Sequence, residues 1–140
     1  MRATEREERA AAADRPVALI SGVGQVAGLA AAIAIRLACD GWDIASTAWA
    51  PYDERMPWGR QDGDSQLIDA VLLRAGARTI PIPADLADIT APALIFERAQ
   101  AALGPVTAQV LCHCESVDSS LLDTTVESFD RQSMPGRPGY

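Results

Sequence analysis

The stretch Val17-Ala18-Leu19-Ile20-Ser21-Gly22-Val23-Gly24-Gln25-Val26-Ala27-Gly28-Leu29-Ala30 decides the fold. Four apolar residues ending at Ser-Gly read as a short strand buried on both faces, as in parallel sheets. Gly22, Gly24 and Gly28 then allow tight turning and a close approach of backbone to a ligand. Leu29, Ile33 and Leu37 follow at spacing four and predict a helix, which Gly41 closes as its C′ residue. A strand, a glycine turn and a helix N-terminus together make a place where backbone N–H groups can meet an anion. The spacing is not G-x-G-x-x-G, because three residues separate Gly24 from Gly28.

Outward from this unit the alternation continues. Trp42 to Trp49 reads as a second strand, and the Pro- and Gly-bearing Ala50 to Gly63 as a loop. Ser65 is the expected cap of a second helix with Ile68, Val71, Leu72 and Ala75 inward and Gly76 at its end. Arg78 to Pro83 reads as a third strand, and its Pro81 and Pro83 place it at a sheet edge. Pro92 opens a third helix to Leu103, Ala108 to Leu111 forms a fourth strand, and Thr124 with Glu127 suggests a capping box for a fourth helix. This order predicts an α/β fold: a partial, three-layer Rossmann-type parallel sheet with strand order 3-2-1-4 and helices on both faces. Residues 1–15 read as a flexible extension, 16–132 as the partial Rossmann domain and 133–140 as a separate tail.

Composition narrows the function. Among 140 residues, 49% are hydrophobic, enough for a core. All 12 basic residues are Arg, and 19 acidic ones leave a net charge of −7. The absence of Lys removes Schiff-base chemistry, a P-loop Lys and a Tyr–Lys proton relay. An acidic chain without a basic stripe argues against nucleic-acid binding, and no apolar run is long enough to span a membrane. Three cysteines, Cys39, Cys112 and Cys114, form no even disulfide framework, so the expected location is the cytoplasm. Cys112-His113-Cys114 raises a metal reading, since Cys and His are zinc ligands. On a strand, however, His113 would point away from the two thiols, and no metal site is expected.

The chain from Pro16 to Gln132 resembles the N-terminal half of the short-chain dehydrogenase/reductase family. The carriers are Ser21-Gly22 with Gly28-Leu29-Ala30, similar to the longer glycine turn of divergent enoyl-reductase-type members, and Ala84-Asp85-Leu86 after the third strand. Gly104-Pro105-Val106 before the fourth strand and Thr124 to Asp130 add to it. The resemblance implies binding of a dinucleotide, NAD or NADP. Its contacts would be Ser21, Gly22, Gly24, Gly28, Leu29, Trp49, Asp85, Leu86 and the segment Cys112, His113, Cys114. Ala48-Trp49-Ala50 ends strand two with neither the acid of NAD-binding members nor the Arg of NADP-binding ones, so the two cofactors are not separated.

The chain departs from the family at its reaction. Hydride transfer there uses a Tyr whose pKa, ordinarily about 10, is lowered by a Lys so that it serves as general acid/base. Tyr52 and Tyr140 are the only tyrosines, neither in a Tyr-x-x-x-Lys pattern, so no catalytic residue is expected. Ser133 to Gly139 places helix breakers where a family helix would continue. The expectation is a truncated cofactor-binding half, inactive alone, its tail the product of a shifted frame or altered gene end. The alternative is a non-catalytic nucleotide-binding or interaction protein built on a Rossmann half-domain. In either case an uncovered fourth strand would favour self-association.

Overall fold

The computed structural model describes residues 14–24, 26–48, 63–112 and 120–127. Trp49, His113, Cys114, both tyrosines and the 133–140 tail lie outside the described residues. Strands β1 (Val17–Ser21), β2 (Asp43–Thr47), β3 (Thr79–Pro81) and β4 (Val106–Leu111) alternate with helices α1 (Leu29–Cys39), α2 (Asp64–Arg74) and α3 (Ala91–Leu103). The sheet order is β3-β2-β1-β4, and every pairing is parallel. That is the order expected from the sequence. Residues 126 and 127 are helical, next to the predicted capping box.

Strand alternation sorts the side chains into two cores. Ala18, Ile20 and Ile44 pack beneath α1 and α2, against Ala30, Ala31, Ala34, Ala38, Ile68 and Leu72. Val17, Leu19 and Ala45 face α3, against Ala91, Ile95, Ala99 and Leu103. β1 is buried at every residue, as befits a central strand. Ile82 N–H donates to the Ser46 carbonyl at 2.8 Å. Alternation then turns the Pro81 nitrogen to the outer edge, where its missing N–H costs no ladder bond.

Several local expectations need correction. The inner face of α1 is an alanine stripe, not Leu29-Ile33-Leu37: Leu29 is 72% exposed, and Ile33 and Leu37 pack from the flanks. Alanines let the helix approach the sheet closely, so the larger side chains are pushed to its sides. Ser65 does not cap α2; the helix starts at Asp64 behind Gly63, which has φ 89°. Val71 is exposed, and α2 buries Ile68 and Leu72 instead. β2 and β3 are shorter than the sequence runs suggest, and β4 begins two residues earlier, at Val106. Gly41 and Gly76 do end their helices at φ 95° and 84°. The paired bonds Trp42 N–H to Leu37 O (3.0 Å) and Ala77 N–H to Leu72 O (3.1 Å) complete the Schellman pattern.

The amino ends of the strands are tied by an ionic clasp that sequence reasoning missed. Asp43 is fully buried. Its Oδ1 accepts from Arg15 Nε at 3.1 Å and from the Arg78 backbone N–H at 2.8 Å, while Oδ2 accepts from Arg78 Nε at 2.8 Å. Arg15 also donates to the carbonyls of Ala38 and Trp42, and Arg78 to that of Leu103. One carboxylate thereby links the entry to β1, the start of β2, the approach to β3 and the end of α3.

Candidate dinucleotide site

The opposite, carboxyl ends of the strands hold the predicted site residues. Gly22 has φ 80°, a conformation that favours glycine, and it lets the chain fold over the end of β2. There the N–H groups of Gly22 and Val23 both donate to the Thr47 carbonyl, at 2.8 and 3.1 Å. Gly22 therefore shapes the turn, and its own N–H is engaged within the protein. Gly28 differs. It is the N-cap of α1 at φ −78°, ψ 155°, extended backbone that any residue adopts. The α1 N-terminus has no side-chain cap and no acidic residue in its first turn. Its first N–H groups have no intrahelical acceptor, by helix geometry alone. Leu29 projects outward at the same point, and Gly24 is half-buried.

Ser21 is buried and works between strands. Its hydroxyl accepts from Cys112 N–H at 3.1 Å and donates to the Val110 carbonyl at 3.5 Å. Cys112 is half-buried, its side chain packed toward the α1–α2 core. Asp85 Oδ1 accepts from Ala87 N–H at 2.8 Å, which fixes the turn after β3. Leu86 packs into the α3-side core. The structure thus brings Ser21, the glycine turn, Asp85-Leu86 and Cys112 to one end of the sheet.

An open cleft of about 230 Å³ adjoins them on the α3 face, lined by Ser21, Thr47, Leu86, Phe96, Gln109 and Leu111 among others. Thr47, 3% exposed, has a hydroxyl with no hydrogen-bond partner among the described residues. Nothing in the sequence marks it, because burial of one hydroxyl depends on how β2 sits under α3. Nor does the sequence single out Asp64, whose Oδ2 accepts from Val26 N–H at 2.9 Å in the middle of the glycine turn. Among the described residues no group of three or more His, Cys, Asp or Glu is placed to hold a metal. No helix there is long and apolar enough to cross a membrane.

In the order β3-β2-β1-β4 the chain steps outward from β1 to β2 and β3 on one side, and the crossover through α3 then carries it back to β4 on the other side of β1. The crevice at that switch point is where open α/β sheets bind ligands. Fold and turn together define a Rossmann half. No family model matches the chain. A short-chain dehydrogenase/reductase of Armillaria gallica is 32% identical over 117 residues, 82% of this chain and 40% of that protein. A solved structure described as a short-chain dehydrogenase/reductase of Sinorhizobium meliloti is 31% identical with TM-score 0.62, covering 83% of this chain and 46% of that one. A short-chain dehydrogenase of Mycobacterium paratuberculosis bound to NAD is 22% identical with TM-score 0.67, covering 84% and 43%. The chain corresponds to the N-terminal Rossmann half of the short-chain dehydrogenase/reductase family, a family of oxidoreductases. It spans less than half the length of these relatives.

Proposed function

We propose that this chain binds a nicotinamide dinucleotide across the carboxyl edge of its sheet and supplies no acid/base chemistry of its own to hydride transfer. The observation that carries the reading is the entry to α1. Gly28 sits in a backbone conformation open to Ser, Thr, Asp or Asn, the preferred N-caps, yet the position has no side chain. A bare N-terminus at the switch point is suited to a pyrophosphate, which meets both N–H donors and the positive helix end. Asp85-Leu86 and the Cys112 segment would flank the nucleotide, with Trp49, His113 and Cys114 as further contacts. Without Lys in the sequence, this chain has no Tyr–Lys relay to move the proton that accompanies hydride.

Titration with NADH and NADPH, followed by cofactor fluorescence, tests this directly. Replacing Gly28 by Val should reduce affinity at least tenfold, roughly the loss of one good contact, while the chain stays folded. Affinity unchanged by that replacement would place the dinucleotide elsewhere. A second reading, an interaction module, draws on one specific observation. Among the described residues β4 pairs only with β1, and Leu111 beside its outer edge is 63% exposed. An open edge of this kind pairs with other chains, so association that rises with concentration would support that reading.

A further inference from the structure

The contact between Asp64 and the glycine turn has no role in the fold's cores. Asp64 is the first residue of α2, set there by the left-handed Gly63 before it. A carboxylate at that position already suits the positive end of its own helix. Instead of serving only α2, it reaches across and accepts the Val26 N–H at 2.9 Å, two residues before the Gly28 N-cap of α1. The turn that opens α1 thus carries an anion supplied by the protein, while the helix itself offers no acid in its first turn.

We propose that Asp64 is an internal anion seated on the glycine turn, which competes with a ligand phosphate for it. The inference rests on the reading of this turn as the phosphate site of the dinucleotide. A backbone N–H that donates to a carboxylate cannot at once donate to a phosphate oxygen along the same axis. The carboxylate also repels any phosphate brought within a few ångströms of it. The bond is solvent-exposed, so it is weak enough to be displaced rather than a permanent lock. The unliganded turn is held in one shape by Asp64, and binding exchanges that carboxylate for the ligand's phosphates. Ligands are then discriminated by phosphate charge: those with a diphosphate must displace Asp64, and those without one need not.

The test uses the full chain and two probes, ADP and adenosine, with the variants Asp64→Asn and Asp64→Ala. Asn keeps an acceptor for Val26 without the charge; Ala removes both. Both variants should bind ADP about three- to tenfold more tightly, the range one water-screened like charge produces at short distance. Adenosine affinity should not change. The gain for ADP should shrink as salt is raised toward about 0.5 M, where screening acts over only a few ångströms. Equal or weaker ADP binding by both variants would overturn the proposal and make Asp64 a support of the bound turn. An equal gain for adenosine would also overturn it, because the effect would then not concern phosphate. Failure of ADP and NADH to bind any form, wild type included, would refute the phosphate-site reading itself and this inference with it.

Discussion

Removing the Asp43 carboxylate is the sharpest test of how the sheet is held. Its two buried oxygens take the Arg15 Nε at 3.1 Å, the Arg78 backbone N–H and Nε, and an Arg78 terminal nitrogen at 2.7 Å. Deleting one partner of a buried ion pair costs about 3–5 kcal/mol, mostly because the other charge is stranded. Here the stranded groups have partial access to water, with side-chain exposures of 19% for Arg15 and 46% for Arg78. The lower end applies, so Asp43→Ala should cost about 3 kcal/mol. Against a total stability of about 5–15 kcal/mol this is a large share. With a urea slope of about 1–3 kcal/mol/M, the unfolding midpoint should fall by about 1–3 M at unchanged slope. Arg15→Ala should cost less, because Asp43 keeps Arg78. A midpoint displaced by less than about 0.3 M in Asp43→Ala, or an equal loss in Arg15→Ala, would refute the clasp as the tie between these strands.

Three further outcomes concern single residues. Gly41→Ala, at φ 95° with open space around the position, should cost about 1 kcal/mol in thermal or urea unfolding purely through backbone conformation. Thr47→Val replaces an unpartnered buried hydroxyl by a methyl and should be neutral or stabilising by up to about 1 kcal/mol, read as the melting temperature. Burial holds the Asp69 carboxyl above its ordinary range. A raised pKa means the folded state favours the proton, so ionised Asp69 weakens the fold above about pH 4. Asp69→Asn should therefore stabilise at neutral pH, with the advantage vanishing as pH falls through the carboxylate range.

The fold was legible because its signals are local and repeated. Strand β1 announces itself by four apolar residues before Ser21-Gly22, and α1 and α2 end at glycines whose left-handed conformation only that residue takes without cost. The prolines of β3 carried topology: a strand that cannot donate at Pro81 has to be an edge, and one edge fixes much of the order. What the sequence hid depends on contacts across long separations. Arg15, Asp43 and Arg78 look like scattered surface charges until three segments meet. The alanine face of α1 was obscured by Leu29, Ile33 and Leu37, because hydrophobic spacing registers size as well as direction. At the site, glycine positions could be read, yet their separate duties could not. Only backbone angles distinguish Gly22, which the turn requires, from Gly28, which it does not.

That distinction separates the two ends of the sheet. At the amino end the charges are matched: one buried carboxylate meets two guanidinium groups, whose remaining donors reach the carbonyls of Ala38, Trp42 and Leu103. At the carboxyl end the backbone is shaped but left open. Gly22 and Val23 are spent on the Thr47 carbonyl, which fixes the turn over β2, while α1 begins at a glycine with no cap. A Ser, Asp or Asn at position 28 would fit the observed angles and add roughly a few tenths of a kcal/mol over glycine by capping. Any such side chain would also fill the space in front of the first helical N–H groups. The same substitutions therefore set stability against access to the α1 N-terminus. Gly28→Ser should raise the melting temperature and weaken dinucleotide binding together; a stabilised Gly28→Ser variant with full affinity would break the link between the bare helix end and the ligand.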